Sequence, residues 1–416
     1  MAFEASQITR SLTRVEGFRD NEFDYQLLRV MGLASSGGST VGECLAAAAM
    51  IAESDTGSWA RVFGALADRV EAAAADCLAA GHPVSARAHL LRASTYHRAA
   101  EYYAETDPGL RGELGRRSAE AFRRAAALPG PGPTVETVAI AFEGADLPGY
   151  LVHPLPGTVP PAGPAGTLVV LGGFESTAEE LYFQLGVPGA DRGWEVLVFD
   201  GPGQTGCMRD HPELTFRPDY EVPVGAVLDF LQARPGTDPD RVALAGLSFG
   251  SYFAARAAAH DTRIRALVLD PPVSDLYRYM EAWLGPPVFG SRRDIRPADV
   301  DGVPEDLLLP QMVWGILAVC RRFGVSSLHR WIEALEAFRL GDSLGAIACP
   351  VLALVGEREG AEITRQTEAV VAGVAGPATL RRFAMDDGAD AHGQAGNLPL
   401  SAQVVYDWLD ELFVGD

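Results

Sequence analysis

The spacing of apolar residues along this chain changes character once, near residue 130. From about residue 22 to 128, apolar positions recur every three or four residues, as in "VGECLAAAAMIAE", "SWARVFGALADRVEAAAADCLAAG" and "SARAHLLRASTYHRAAEYYAE". That is the period of helices with one buried face. Gly81 and Pro83 punctuate two of them. The stretch "LPGPGPTVE", residues 128 to 136, then breaks the period with alternating Pro and Gly and reads as a linker. The pattern therefore predicts a helical lid domain over 1–130 and a second domain over 131–416. In the second domain "VAIAFEGADLPGYLVHP" reads as a hairpin. "TLVVLGG", "WEVLVFD", "RVALAGLS", "IRALVLDPP" and "CPVLALVGE" read as short buried strands separated by helical segments. Strands alternating with helices predict an α/β fold with a mostly parallel sheet covered on both faces. Between about 276 and 340 the spacing returns to helical, which predicts an insertion into that sheet.

Chemistry enters at "VALAGLSFGSYFAARAAAH", residues 242 to 260. Gly246-Leu247-Ser248-Phe249-Gly250 follows an apolar strand and precedes a helix, the context a G-x-S-x-G nucleophile elbow requires. Such a turn exposes the Ser248 hydroxyl and turns the Phe249 amide, at a positive helix end, toward a reacting carbonyl. The bland alternative is a glycine-rich turn with a bystander serine. A serine needs a general base to become nucleophilic, and of the eight histidines only His260, His329 and His392 lie downstream. His260 ends the elbow helix and His329 lies in the insertion. His392, in the polar loop "MDDGADAHGQAGNLPLS" after the strand "TLRRFAM", occupies the place of a triad histidine. After "CPVLALVG" come Glu357, Arg358 and Glu359; Glu359 is the expected acid and Glu357 the runner-up. Asp386 and Asp387 lie on the histidine's own loop, and Asp270 ends an earlier strand. The loop "VLGGFESTAEEL" supplies the expected second oxyanion donor, the Phe174 amide, with Gly172 and Gly173 allowing close backbone approach.

"VFDGPGQTG" carries a formal G-x-G-x-x-G, but a dinucleotide site would need a helix starting within it and an acid ending the next strand. "CMRDHPELTFRPDY" does not read as a helix opening, so the run is taken as the turn after a strand. Arg217 or Asp219 beside it could face a substrate or serve the loop.

Composition narrows the function classes. With 416 residues, 48% hydrophobic and 21% charged, the chain can bury a large core. A formal charge of −21 disfavours nucleic acid and anionic membranes as partners. All 34 basic residues are arginines. With no lysine, a Schiff base and a P-loop are excluded. Five scattered cysteines, Cys44, Cys77, Cys207, Cys320 and Cys349, give neither a zinc spacing nor a disulfide framework. The opening "MAFEASQITRSLTRVEG" has no apolar signal core and no stretch approaches 18 uninterrupted apolar residues, so a cytoplasmic location is expected. No cofactor and no metal are expected.

Taken together, "LGGFESTAEEL", "FDGPGQ", "GLSFGSYFAAR" and "GADAHGQAGN", with "GGSTVGECLAAAAMI" and "SARAHLLRASTYHRAAEYY" in the helical part, give the chain its likeness to known proteins. It resembles the α/β-hydrolase superfamily, and within it the branch holding 2,6-dihydroxypseudooxynicotine hydrolase and the fungal yellowish-green pigment hydrolases that shorten polyketides. The resemblance implies an N-terminal helical domain before a hydrolase core, Ser248 as nucleophile and His392 as base. Glu359 stands where that family usually has an aspartate. The helical domain is expected to cover the site and shape an acyl or aromatic pocket. Tyr96, His97, Tyr102 and Tyr103 lie on or near one helix; Tyr96, Tyr102 and Arg217 are candidate substrate contacts. The expected activity is serine-dependent cleavage of a carbon–carbon bond in a small aromatic or polyketide-like ketone. Alternatives are ester or thioester hydrolysis, or deacylation coupled to elimination or cyclisation. A non-catalytic binding protein on the same fold is the rival from another class. The partner is a small molecule, with a homodimer as a further expectation.

Overall fold

The computed structural model describes residues 13–159, 165–291, 294–302 and 310–414. Five helices come first: α1 (Asn21–Gly32), α2 (Val41–Ala48), α3 (Thr56–Ala79), α4 (Pro83–Tyr102) and α5 (Pro108–Ala126). Side-chain caps start α1 at Asp20, α2 at Thr40, α3 at Asp55 and α5 at Asp107, each satisfying amides that a helix end leaves open. Along α3 the buried stripe Trp59, Phe63, Leu66, Ala67, Val70 and Ala74 follows helical spacing. The run "VGECLAAAAMIAE" is helical only to Ala48. Ser54, at φ 58°, and the extended Asp55 must leave the helix so that Asp55 can cap α3.

The chain then enters an eight-stranded sheet in the order β1-β2-β4-β3-β5-β6-β7-β8. The strands are β1 (Val135–Phe142), β2 (Ala145–Val152), β3 (Thr167–Leu171), β4 (Glu195–Phe199), β5 (Val242–Leu247), β6 (Ala266–Asp270), β7 (Val351–Gly356) and β8 (Ala378–Phe383). β1 and β2 form the expected hairpin; its two-residue turn, Glu143 at φ 49° and Gly144 at φ 87°, has the left-handed backbone of a tight hairpin. β2 pairs antiparallel with β4, and every later pairing is parallel. β3, β5 and β6 are buried along their whole length, apart from the half-buried Leu247 at the end of β5. Both faces of these strands are covered, as their uninterrupted apolar sequences require.

Covering the sheet are α6 (Ala178–Leu181) and α7 (Val187–Ala190), joined through a π-helical turn, then α8 (Thr205–Asp210), α9 (Glu221–Gln232) and α10 (Phe249–His260). The insertion supplies α11 (Leu276–Phe289), α12 (Pro310–Phe323) and α13 (Leu328–Leu335); α14 (Ala361–Gly373) and α15 (Leu398–Val414) follow. α8 corrects one expectation, since "CMRDHPELTFRPDY" does open in a helix. Gln204 closes the preceding turn from inside: its amide accepts from Gly201 N at 2.6 Å and donates to Gly172 O at 2.5 Å, leaving the chain free to start a helix at Thr205. The helix has six residues and leads to α9 rather than to a strand. The insertion docks on the helical domain through Trp314. Its indole N–H donates to Tyr102 O at 2.6 Å, and its ring stacks on Tyr102 with centroids 4.9 Å apart.

Candidate active site

β5 delivers the chain to Ser248 at φ 57° and ψ −122°, where α10 begins with Phe249. A side chain on Gly246 would place its Cβ 2.1 Å from Gly250 O, and one on Gly250 would meet Leu171 O at 2.5 Å and Gly172 O at 2.6 Å. Both glycines are therefore dictated by backbone crowding. Ser248 N donates to Asp270 O at 2.6 Å. Ser251 Oγ donates to Gly246 O at 2.7 Å and accepts from Asp270 N at 2.9 Å. The turn is thus tied to the end of β6. Phe249, as the first helical residue, has one of the amides that no helical carbonyl can satisfy.

His392 and Glu359 are brought together. His392 Nδ1 lies 2.8 Å from Glu359 Oε2, while Glu359 Oε1 accepts from Gly356 N at 3.1 Å. Glu359 is only 3% exposed. With a carboxylate at Nδ1, that nitrogen carries the proton and Nε2 is left as the basic position. Glu357 points elsewhere: it is exposed, accepts from Met385 N at 3.3 Å and lies 3.6 Å from Arg358. Asp386 is exposed, and Asp387 accepts from Ala384 N at 3.0 Å. His260 is exposed at the end of α10, and His329 Nε2 lies 3.0 Å from Ser291 O within the insertion.

The histidine loop is bent by Gly393 at φ 61° and Gln394 at φ 46°. Gln394 is fully buried, donating to Asp270 Oδ1 at 3.0 Å and accepting from Ser401 Oγ at 3.0 Å. Asp270 thereby holds the elbow through its carbonyl and the histidine loop through its side chain. Burial pushes its carboxyl up to about 8, the neighbouring Glu359 charge acts in the same direction, and the Gln394 bond opposes both.

On the other side of Ser248 runs the loop after β3. A Cβ on Gly173 would sit 2.7 Å from Ser248 Cβ and 3.1 Å from Ser248 Oγ, so only a bare backbone can come this close. Gly173 N donates to Ser176 Oγ at 3.3 Å, whereas the next amide, that of Phe174, has no acceptor among the described residues. The Phe174 ring meets Phe249 edge-on at 5.4 Å and Phe216 at 5.7 Å, and Phe249 meets Tyr279 at 6.1 Å. The surroundings of the serine are aromatic. From the helical domain, Tyr25 reaches the same centre: its hydroxyl donates to His392 O at 3.1 Å and its ring lies 6.5 Å from the imidazole. Sequence reasoning missed Tyr25, whose position on α1 carried no motif.

Three candidate substrate contacts prove to have other partners. Tyr96 is fully buried inside the helical domain, donating to Glu43 Oε2 at 2.7 Å and accepting from Thr40 N at 3.0 Å. Tyr102 is taken up by Trp314, by Gln26 at 3.0 Å and by Glu22 at 3.3 Å. Arg217 is held at the β1–β2 turn by Glu143 at 2.9 Å and Asp219 at 2.8 Å, its guanidinium over the Phe142 ring. Among the described residues no group of three or more His, Cys, Asp or Glu could hold a metal ion.

The profile of the prolyl oligopeptidase family matches residues 222–294, from α9 through the elbow into the insertion. The hydrolase ORFZ of Pyricularia oryzae is 34% identical over 358 residues, covering 80% of this chain and 82% of its own. The chain belongs to the α/β-hydrolase superfamily. A second relative of this hydrolase, the α/β hydrolase gkaG of Penicillium citrinum, is 39% identical over 263 residues, covering 61% of this chain and 60% of its own. Among solved structures, 2,6-dihydroxy-pseudo-oxynicotine hydrolase superposes with a TM-score of 0.70 at 23% identity, over 92% of this chain and 96% of its own. The hydrolase therefore shares that fold across its helical domain as well as its sheet.

Proposed function

We propose that this hydrolase is a serine enzyme in which Ser248 attacks, His392 moves the proton, Glu359 orients the imidazole, and the amides of Phe174 and Phe249 hold the oxyanion. The observation that carries the reading is the 2.8 Å bond between buried Glu359 and His392 Nδ1. It fixes the tautomer that leaves Nε2 free to accept the serine proton. Ser248 Oγ adds to a substrate carbonyl as His392 takes its proton, giving a tetrahedral oxyanion. Collapse breaks the bond to the leaving group, which receives that proton from His392, and water then releases the acyl group by the same steps.

The bond we assign is carbon–carbon, in a small aromatic or polyketide-like ketone. Such a leaving group is a carbanion that must be delocalised, as in a β-diketone or an acylated phenol, and protonated by the imidazolium. The rings of Phe174, Phe216, Phe249 and Tyr279 around the elbow favour an aromatic or apolar substrate. The resemblance to 2,6-dihydroxypseudooxynicotine hydrolase and to the fungal hydrolases that shorten polyketides points the same way. The test is a panel of acyl-phenol ketones, β-diketones and matched esters, with products identified by mass spectrometry. Release of the carboxylic acid and the protonated, deacylated fragment from a ketone is the expected result. Turnover confined to esters would replace carbon–carbon cleavage with ester hydrolysis.

A further inference from the structure

The loop that carries Phe174 continues into Glu175, a carboxylate only 8% exposed, at the meeting point of the sheet, the helical domain and the insertion. Burying a charge this deeply is costly unless it is paired. Two arginines from different parts of the chain pair it. Arg322, on α12 of the insertion, makes a forked contact, Nε to Oε1 at 3.0 Å and Nη2 to Oε2 at 2.8 Å. Arg98, on α4 of the helical domain, donates through Nη2 to Glu175 O at 2.5 Å and to Oε2 at 3.3 Å. Arg29 on α1 adds a longer bond to the same carbonyl at 3.4 Å.

Neither arginine is free to follow a wandering loop. The remaining donors of Arg322 reach Gly203 O at 2.8 Å and Thr205 Oγ1 at 2.9 Å, so one guanidinium joins the loops after β3 and β4. Its plane also lies over the Phe174 ring, 5.1 Å from the centroid. Arg98 donates to Glu101 at 3.3 Å, and Glu101 is gripped by Arg209 of α8 at 2.7 Å. Apolar side chains could join these segments at least as stably, since buried ion pairs contribute little net stability. What a fork of directed bonds supplies is a fixed position for the backbone it holds. That backbone is one residue from the expected oxyanion donor.

We propose that Arg98 and Arg322 are positioning residues that, through Glu175, set the Phe174 amide beside Ser248, so that the oxyanion site is complete only when the helical domain and the insertion are both docked. This rests on the serine-hydrolase reading above. It is tested on the full-length protein by the second-order rate at which a fluorophosphonate labels Ser248, together with kcat and KM for p-nitrophenyl acetate. Losing one oxyanion donor costs about 100- to 1000-fold in other enzymes. A displaced donor in Arg98→Gln or Arg322→Gln should therefore slow labelling and kcat by roughly tenfold to a hundredfold, with KM little changed. Arg92→Gln, which breaks an ion pair with Glu43 at 3.1 Å elsewhere in the helical domain, should leave labelling at the wild-type rate. If a glutamine variant does not fold, Glu175→Gln keeps the shape while removing the charge both arginines hold, and the same slowing is expected. Wild-type labelling rates in these variants, judged folded by circular dichroism, would overturn the inference and leave the serine mechanism standing. Absence of labelling in the wild type would instead remove the serine mechanism itself.

Discussion

Ser248 occupies a backbone conformation, φ 57° and ψ −122°, that costs a residue with a side chain about 1–3 kcal/mol and persists only where the surroundings impose it. Here the carbonyls of Leu171, Gly172 and Gly250 crowd the flanking glycines Gly246 and Gly250, and Ser248 N is bonded to Asp270 O. The sequence ranked Glu359 ahead of Glu357 in the "GEREG" loop by position alone. Burial separates them: Glu359 faces His392 and Glu357 faces solvent. Glu359→Gln is expected to lower kcat by roughly 100-fold or more, because an amide favours the wrong imidazole tautomer, and Glu357→Gln by less than about twofold. Steady-state rates on any turned-over ester or ketone decide it, and the reverse ranking would transfer the role. Asp270 makes a second prediction, about pH. An unfolded aspartate ionises near 4, whereas the folded one holds its proton up to about 8. The folded state therefore binds the extra proton, and its contribution to stability is fully present below about 4. That contribution falls as pH rises and is gone above about 8. Asp270→Asn keeps the oxygen that accepts from Gln394 but cannot ionise. Its melting temperature should gain on the wild type between pH 5 and 8, and parallel pH slopes would show that Asp270 is not the group responsible.

At the scale of elements, the loops at the strand ends do the positioning. The strands themselves were legible because β3, β5, β6 and β7 are short apolar runs, buried along almost all of their length, and such runs announce themselves by length and flanking glycines. Ser248 and Glu359 were singled out because each follows a strand by at most three residues near a glycine, and His392 because it is the histidine of the polar loop between β8 and α15. α8 was misread because the residue that permits it, Gln204, acts through a bond to Gly172, 32 positions away, and no local pattern encodes that. The loop after β3 yields a prediction that separates catalysis from folding. Gly173→Ala would push a methyl carbon to 2.7 Å from Ser248 Cβ and 3.1 Å from its Oγ. Ser248 and the loop must move apart. Fluorophosphonate labelling and turnover should fall by roughly 100-fold or more, the scale of a lost oxyanion donor, while circular dichroism remains that of the folded protein. Unimpaired labelling would mean that the loop does not border the reacting centre.

Across the whole molecule, what the sequence hid is what joins its parts. Arg98 and Glu175 are 77 positions apart, and Arg322 and Glu175 are 147 apart. On a helical wheel each arginine reads as an ordinary solvated residue. α4 misleads most, since it is buried on nearly all sides, and its polar residues Arg87, Arg98 and Glu101 are buried with it. Tyr102 was singled out as a candidate substrate contact; its ring stacks on the insertion and its hydroxyl bonds Gln26 and Glu22 of α1. Trp314 is 9% exposed, stacked on Tyr102 and edge-on to Tyr103 at 5.9 Å. It thus fastens the segment that carries Arg322 and Arg321, the latter paired with Glu105 just beyond α4. Trp314→Ala removes that ring and leaves the Tyr102 carbonyl without its donor. A buried tryptophan truncated to alanine costs about 3–5 kcal/mol, and here the loss falls on an interface rather than inside one packed unit. The expected result is local: hydrogen exchange should accelerate together in α12 and at the C-terminal end of α4, and Ser248 labelling should slow with it. Trp59, inside the helical domain and bonded to Ala99 O at 2.9 Å, gives the contrast. Trp59→Ala should loosen α3 and α4 while α12 keeps its protection. If Trp314→Ala left the exchange of α4 unchanged, the insertion and the helical domain would be independent of each other.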